Sequence, residues 1–272
     1  MISLIPIILF AGLYSYLFSL ISSVSILWIL WVVLGLLSSI VVYILFVLFM
    51  VYVSFNIGNN FTKLKYLFLR DAMSLGLMLF NIDVKVEGKE NIPNETFVLM
   101  GNHKDPWDVI IAFVGYNRIM SAVAKKELSN VKLLNTLFKQ FNIVSIDRSN
   151  NREGAKALLQ GIKHVKSGIN YIIFPEGGVK SRETELCCGL KPGAIKLATK
   201  PNVPISPFTI IGTSKIQGRK HIWSKRMKIK LKIHKAVPTS YYEGKNTKEI
   251  GLYVESIIDK GVLDEEKNIK ER

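Results

Sequence analysis

A histidine and an aspartate with four residues between them, His103 and Asp108, stand in the segment NHKDPWD between two apolar runs. Pro106 suits the first position of a helix and Asp105 suits its N-cap, which would put Asp108 in the first turn. From there the carboxylate could reach the His103 imidazole, fix its tautomer and leave the other ring nitrogen as a base. This pairing of a base with an orienting acid is typical of acyl transfer.

A purely structural role also fits these residues. Asp105 and Asp108 could only cap the helix while His103 bonds a carbonyl of the turn. No neighbouring Ser or Cys stands ready for activation by the pair. A hydroxyl that the histidine deprotonates would therefore belong to a substrate.

A second polar cluster, IDRSNNR, contains Arg148 directly after an apolar run. A guanidinium can bind a phosphate through two parallel hydrogen bonds, so Arg148 is a candidate ligand for a phosphorylated substrate. An ion pair at the surface is the alternative, because Asp147 precedes it.

A third cluster, FPEGGVKSR, places Glu176 in a turn before Gly177 and Gly178. The two glycines would let backbone N–H groups approach a ligand closely. Lys180 and Arg182 add positive charge to the same turn. Glu176 is thus either a residue that holds the turn or a residue of a site.

All three clusters follow segments that the hydrophobic pattern predicts to be strands. The predicted strands are IDVKVEG, TFVLMGN, RIMSAVA, NIVSID, NYIIFPEGG, VPISPFTIIG and MKIKLKIHK, and the predicted helices are WDVIIAFVG, KELSNVKLLNTLFKQ, NREGAKALLQGIKHVKSG, PGAIKLATK and TKEIGLYVESIIDK. The alternation predicts an α/β fold with a layered mixed sheet flanked by helices. Ligands bind beyond the carboxyl ends of strands in such sheets, so we expect the clusters to converge on one site.

The first 62 residues contain no Asp, Glu, Lys, Arg or His, although the whole chain carries a formal charge of +15. Two apolar stretches, Leu4–Ile21 and Ile26–Phe55, are each near or above the ~20 residues that a membrane-spanning helix needs. A signal peptide would have a basic start and a shorter apolar stretch. We predict a two-helix membrane hairpin over residues 1–56.

The positive charge that begins at Lys63 predicts an integral protein of the cell membrane with its body on the cytoplasmic side. A basic body favours an anionic membrane surface as partner. Nucleic acid is not predicted, because the basic residues do not alternate with stacking aromatic residues.

The sequence of residues 57–80 predicts an amphipathic or interfacial helix, or else a third buried helix. Residues 81–262 form the predicted catalytic domain, and residues 263–272 are predicted to be a disordered tail.

Metal and nucleotide cofactors are not predicted. The four histidines have no ligand spacing, and the two cysteines, Cys187 and Cys188, are adjacent without a partner pair. No glycine-rich nucleotide-binding pattern occurs either.

The clusters, in this order, resemble the glycerolipid acyltransferases, the 1-acyl-glycerol-3-phosphate acyltransferase family. NHKDPWD matches the family block Asn-His-x-x-x-x-Asp, and VSIDRSNNREGA contains its Ile-Asp-Arg. FPEGGVKSR matches the first four positions of Phe-Pro-Glu-Gly-Thr-Arg-Ser, and VPISPF matches Val-Pro-Ile-x-Pro. The segment AKKEL, Ala124–Leu128, is also familiar from the family. The resemblance covers about residues 80–240.

This resemblance implies a catalytic domain of the acyltransferase type, with His103 as general base and Asp108 as its orienting partner. Arg148 and Lys125 would bind the substrate phosphate, and Glu176 with Gly177 would belong to the glycerophosphate-binding block. The acyl donor would be acyl-CoA or acyl carrier protein, and no further cofactor is implied.

The chain departs from the family where GVKS, followed by Arg182, stands in place of Thr-Arg-Ser and is one residue longer. Lys180 or Arg182 would replace the missing arginine, and alignment on Ser181 favours Lys180. The expected reaction is transfer of a fatty acyl group to the 2-hydroxyl of lysophosphatidic acid, giving phosphatidic acid in phospholipid biosynthesis. The alternatives are a different lysolipid acceptor, or a non-catalytic membrane-anchored lipid-binding protein.

Overall fold

The computed structural model describes residues 12, 13, 16, 33–43, 45, 46, 49, 63–147, 150–217 and 226–270. By its internal contacts the chain divides into two compact units, Met1–Ala72 and Met73–Arg272. The first unit contains the apolar N-terminal residues, and the second contains all three polar clusters.

In the first unit, residues 33–43 are helical, and the Ser39 hydroxyl donates to the Gly35 carbonyl over 2.6 Å. Within the described residues, no helix is both long and apolar enough to span a bilayer. The hairpin predicted for residues 1–56 falls mostly on residues outside the described set, as does the start of the helix predicted for residues 57–80.

A seven-stranded sheet organises the second unit. Its strands are β1 (Ile82–Glu87), β2 (Val98–Gly101), β3 (Met120–Lys125), β4 (Val144–Ile146), β5 (Asn170–Ile173), β6 (Ile205–Ile211) and β7 (Met227–Ile233). They lie in the order β1-β7-β6-β2-β5-β3-β4, and every neighbouring pair is parallel except β6 and β7. The predicted mixed sheet is therefore confirmed.

The helices alternate with these strands along the chain. They are α1 (Lys63–Leu79), α2 (Trp107–Tyr116), α3 (Lys132–Gln140), α4 (Asn151–Lys166), α5 (Pro192–Thr199) and α6 (Thr247–Lys270), with 3₁₀ turns at Lys89–Asn91, Lys126–Asn130, Thr213–Lys215 and Thr239–Tyr242. Residues of α4, α5 and α6 share one buried core with alternate residues of β2 and β5. Burial of the central strands explains why their sequences read as continuous apolar runs.

The strand β7, one position from the edge of the sheet, alternates strictly in sequence because only one of its faces is fully buried. Ile229, Leu231 and Ile233 point into the core and are at most 1% exposed, while the lysines between them face outward. Lys230 lies 2.8 Å from Glu87 of β1 and 2.6 Å from Glu265 of α6. The strand predicted for MKIKLKIHK is therefore confirmed.

The helix α6 extends to Lys270, so residues 263–270 are helical and the predicted disordered tail is wrong there. The Glu265 side chain is 9% exposed and pairs with Lys230, which ties this last part of the helix to the sheet. A composition rich in charged residues predicts disorder only where those charges lack such partners.

The segment KELSNVKLLNTLFKQ was expected to form one helix, but it is divided into a 3₁₀ turn and α3. Val131 between them has an extended backbone, with φ −78° and ψ 114°. The Ser129 hydroxyl donates to the Lys126 carbonyl over 2.6 Å. Such local side-chain bonds compete with helix formation, which hydrophobic spacing does not register.

Candidate active site

The first and third polar clusters meet because β2 and β5 are parallel neighbours. Met100 near the end of β2 pairs with Ile173 at the end of β5, so both strands release their loops at the same edge. The segment NHKDPWD follows β2, and FPEGG follows β5. The expected convergence is thus confirmed for these two clusters.

Asp108 is the centre of the first cluster. Its Oδ2 accepts the backbone N–H groups of Lys104 over 2.7 Å and Asp105 over 2.8 Å, and it lies 3.0 Å from His103 Nδ1. The side chain is fully buried at the start of α2. An ionised carboxylate can only accept, so Nδ1 carries the proton and Nε2 is left as a base.

The His103 ring is held from the other side by an aromatic stack. Its centroid lies 4.2 Å from that of Phe174, with an angle of 21° between the ring planes. Phe174 in turn makes an edge-to-face contact with Phe208 of β6. The His103 side chain is 13% exposed, so it remains accessible to a substrate while its orientation is fixed.

Glu176 joins the two clusters directly. Its Oε1 accepts the backbone N–H of His103 over 2.8 Å, and its Oε2 accepts the N–H of Cys188 over 3.0 Å. Lys104 Nζ lies 3.6 Å from Oε2, and the side chains of Lys104 and Glu176 are both completely buried. A single carboxylate therefore sets the distance between the histidine backbone and the loop after β5.

Residues 185–189, sequence ELCCG, form hydrogen bonds with residues of both clusters and are called the floor segment below. Asn102 donates its Nδ2 to the Glu185 carbonyl over 2.9 Å and to the Ile210 carbonyl over 2.7 Å. The N–H groups of Cys187 and Gly189 donate to Asp259 and Glu255 of α6, over 2.8 and 3.1 Å. The floor segment is thus held mainly through its backbone.

Asp105 caps α2 in a way that differs slightly from the expectation. The helix begins at Trp107 with Pro106 before it, and Asp105 Oδ1 accepts the Trp107 N–H over 3.1 Å. Burial raises the pKa of the Asp105 carboxyl, and the nearby charge of Asp108 raises it further. Asp105 Oδ2 has no hydrogen bond and lies 3.9 Å from Arg182 Nη2.

The predicted basic residues lie in different surroundings. Lys125, at the end of β3, pairs with Glu127 over 3.1 Å, and its side chain is half exposed. Lys180 is exposed and donates to the Cys188 carbonyl over 2.9 Å. Arg182 lies beside Asp105, as described above. Arg148 lies outside the described residues, and Asp147 before it pairs with Lys126 over 3.2 Å.

Lys191 is a cation that the sequence analysis did not select. A Cβ on Gly177 would lie 2.8 Å from Lys191 Nζ and 2.6 Å from its Cε, so this side chain crosses directly over the glycine. Gly177 also has φ +79°, a conformation that side chains rarely adopt. Within the described part of the chain, no carboxylate is paired with Lys191.

Comparison with known proteins assigns the family. A family model described as Acyltransferase matches residues 83–211. The chain is 32% identical over 151 residues to a 1-acyl-sn-glycerol-3-phosphate acyltransferase of Bacillus subtilis, across 55% of this chain and 72% of that protein. The chain belongs to the 1-acyl-sn-glycerol-3-phosphate acyltransferase family.

Other relatives of this acyltransferase carry the same name. A protein of Borreliella burgdorferi is 27% identical over 192 residues, which are 69% of this chain and 76% of that protein. One of Saccharomyces cerevisiae is 28% identical over 187 residues, which are 68% of this chain and 60% of that protein. The crystal structure of the 1-acyl-sn-glycerophosphate acyltransferase of Thermotoga maritima has the same fold, with a TM-score of 0.63, 24% identity and coverage of 97% of this chain and 96% of that chain.

Sequence reasoning about the acyltransferase missed Lys104 and the floor segment. A lysine among polar residues is normally solvated, and nothing in its neighbours indicates that Lys104 is fully buried. The floor segment contributes mostly backbone groups, which leave no residue pattern. Among the described residues, no group of three His, Cys, Asp or Glu side chains could hold a metal ion.

We expect Asp108→Asn to lower kcat by about 100- to 10,000-fold while the protein stays folded. The amide oxygen can replace Oδ2 as acceptor, and its nitrogen would take the place of Oδ1, which has no hydrogen-bond partner. The change thus removes charge with little change in shape. Steady-state kinetics and a thermal unfolding curve measure both effects.

Asp105→Asn is the matched control, because it makes the same chemical change three residues earlier and Asn caps helices about as well as Asp. It should lower kcat only slightly. Equal losses in the two variants would contradict the assignment of Asp108 as the orienting acid.

Proposed function

We propose that this acyltransferase transfers a fatty acyl group from a thioester donor to the 2-hydroxyl of lysophosphatidic acid, giving phosphatidic acid. The observation that carries the proposal is the 3.0 Å contact between His103 Nδ1 and the buried Asp108 Oδ2. It supplies an oriented base, and among the described residues no Ser, Thr or Cys side chain is hydrogen-bonded to His103. The relatives of Bacillus subtilis and Borreliella burgdorferi bear the name of this activity.

In the proposed reaction, His103 Nε2 takes the proton from the acceptor hydroxyl as its oxygen attacks the thioester carbonyl. The new C–O bond gives a tetrahedral intermediate, whose collapse breaks the C–S bond and releases the thiolate. The imidazolium returns its proton to this thiolate. Asp108 stabilises the imidazolium and keeps its own charge throughout.

The acceptor phosphate would bind to basic side chains. Arg148, Lys125, Lys180 and Arg182 are the candidates from sequence, and Lys191 joins them because its ammonium lies over Gly177 beside Glu176. A phosphate offers this cation the counter-charge that the described carboxylates do not. The donor would be acyl-CoA or acyl carrier protein, and both carry the thioester that the chemistry needs.

We further propose that the acyltransferase is an integral protein of the cell membrane with its catalytic domain on the cytoplasmic side. The support is the uncharged N-terminal sequence of 62 residues, followed at once by basic residues. An anionic membrane surface would also attract this protein, whose net charge is +15. The product, which has two acyl chains, would remain in the same membrane.

The function is tested by incubating the purified full chain with lysophosphatidic acid and a labelled acyl thioester. Labelled phosphatidic acid should form, and His103→Ala should reduce its formation by about 100- to 10,000-fold, the usual contribution of a general base. A panel of other lysolipids, each with acyl-CoA and acyl carrier protein, identifies the acceptor and the donor. Turnover by His103→Ala near that of the unchanged protein would refute the base assignment.

Removal of one phosphate-binding cation should raise the KM for the lysolipid far more than the KM for the donor. A hydrogen bond to a charged group contributes about 1.5–3 kcal/mol, so the ratio kcat/KM should fall roughly 10- to 150-fold. We expect this for Arg148→Ala, without rescue by Lys, and for Lys191→Ala. Lys180→Ala and Arg182→Ala decide which residue replaces the family arginine.

Lys196→Ala is the matched control, because Lys196 is an exposed residue of α5 outside the turn. If the variants at residues 180, 182 and 191 all have unchanged kinetics, the third cluster does not bind phosphate. A lysolipid with another headgroup would then be the better acceptor.

Membrane attachment is tested by washing membranes that contain the full chain with alkaline carbonate. An integral protein stays in the pellet and is released only by detergent. Release by carbonate or by high salt would mean that the protein is held only through surface charge, which salt screens.

A further inference from the structure

Lys104 follows the catalytic histidine in sequence, yet its side chain points into the protein and is fully buried. Its ammonium donates to the Leu186 carbonyl over 2.6 Å and lies 3.6 Å from both Cys188 Sγ and Glu176 Oε2. A lysine is almost never fully buried unless it is paired, so this placement requires a reason. The only carboxylate within ion-pair distance among the described residues is that of Glu176.

The two hydrogen bonds that Glu176 accepts favour its ionised form. Its two oxygens accept N–H groups from His103 and from Cys188, one oxygen for each donor. In a protonated carboxyl one of the two oxygens is a hydroxyl, which is a much weaker acceptor, so one of these hydrogen bonds would be weakened. The position of the His103 backbone therefore depends on the charge of Glu176.

Burial and two neighbouring carboxylates oppose the charge of Glu176. Glu176 is completely buried, which disfavours the charged form, and Glu255 and Asp259 of α6 hold the same floor segment. Burial and the charges of Asp259, Glu176 and Glu255 raise the pKa of the Cys187 thiol, and burial with the charge of Asp259 raises the pKa of Glu255.

The remaining titratable groups around Glu176 do not replace Lys104. They are His103, Cys188, Lys180 and Lys191; both of these lysines are exposed, and Lys180 is bonded to the Cys188 carbonyl. Lys104 is thus the one buried cation among the described groups that face this carboxylate.

We propose that Lys104 is a positioning residue for acyl transfer: its buried ammonium keeps Glu176 ionised, so that Glu176 holds the backbone of the catalytic His103 in place. Lys104 touches no reacting atom in this role. The inference rests on the proposed function, because its main readout is the turnover that depends on His103. It predicts a pH effect that loss of packing alone would not give.

The test compares the pH dependence of kcat in the full chain and in Lys104→Met. Methionine keeps an unbranched apolar side chain but removes the charge. The kcat of Lys104→Met should be at least about tenfold lower at pH 7 and should recover toward the unchanged protein at alkaline pH. Without the ammonium, burial favours the protonated form of Glu176, and a rise in pH restores the carboxylate.

Three further variants make the result specific. Glu176→Gln, which cannot ionise, should have low kcat at every pH, and Lys104→Met with Glu176→Gln should lose little more than Glu176→Gln alone. Lys196→Met removes an exposed lysine and should leave the profile unchanged. A Lys104→Met profile parallel to that of the unchanged protein, whatever its stability, would overturn the proposal.

A second measurement applies even if Lys104→Met does not fold, because removing one partner of a buried pair can unfold a protein. Infrared difference spectra of the unchanged protein minus Glu176→Gln at pH 6 should contain carboxylate bands of Glu176. A protonated carboxyl band instead would refute the proposal. Since this measurement uses no substrate, it also separates failure of the proposal from a wrong choice of lysolipid acceptor.

Discussion

The hydrogen bond from the His103 backbone to Glu176 is the interaction on which the site depends. It connects the loop after β2 to the loop after β5, which are close only because the two strands are parallel neighbours. Asp108 fixes the ring of the same histidine, and Glu176 fixes its main chain. Two buried carboxylates thus determine the position of the catalytic base relative to a substrate. Both lie at the edge of the sheet where the parallel strands end.

Burial of the two carboxylates has a cost in hydration free energy. Asp108 and Glu176 are both removed from water, so each needs donors that replace the lost hydration. Asp108 obtains them from two backbone N–H groups and the imidazole, all within its own turn. Glu176 obtains them from two separate loops and from Lys104. The first carboxylate is therefore satisfied locally, whereas the second requires the folded domain.

This difference explains what the sequence could predict. The relation of His103 to Asp108 depends on spacing within one turn, and the alternation of strands and helices is a local pattern too, so both were predicted. The meeting of His103 with Glu176 required the additional rule that loops after parallel strands share an edge. Three other features depend on tertiary packing, which no local sequence pattern predicts. They are the burial of the Lys104 side chain, the contact of Arg182 with Asp105 and the position of Lys191 over Gly177.

The floor segment has a consequence for how the chain tolerates change. Cys187, Cys188 and Gly189 contribute three consecutive N–H groups to three different carboxylates, from Asp259, Glu176 and Glu255. Since every residue except proline offers the same N–H, Cys187 and Cys188 can change during evolution at little cost to those bonds, whereas the φ of +80° at Gly189 favours glycine. The number of residues in the floor segment cannot change in the same way, because one inserted or deleted residue would move all three N–H donors away from their acceptors. The length of the floor segment should therefore be the same among relatives, and its sequence should vary by substitution and not by insertion or deletion.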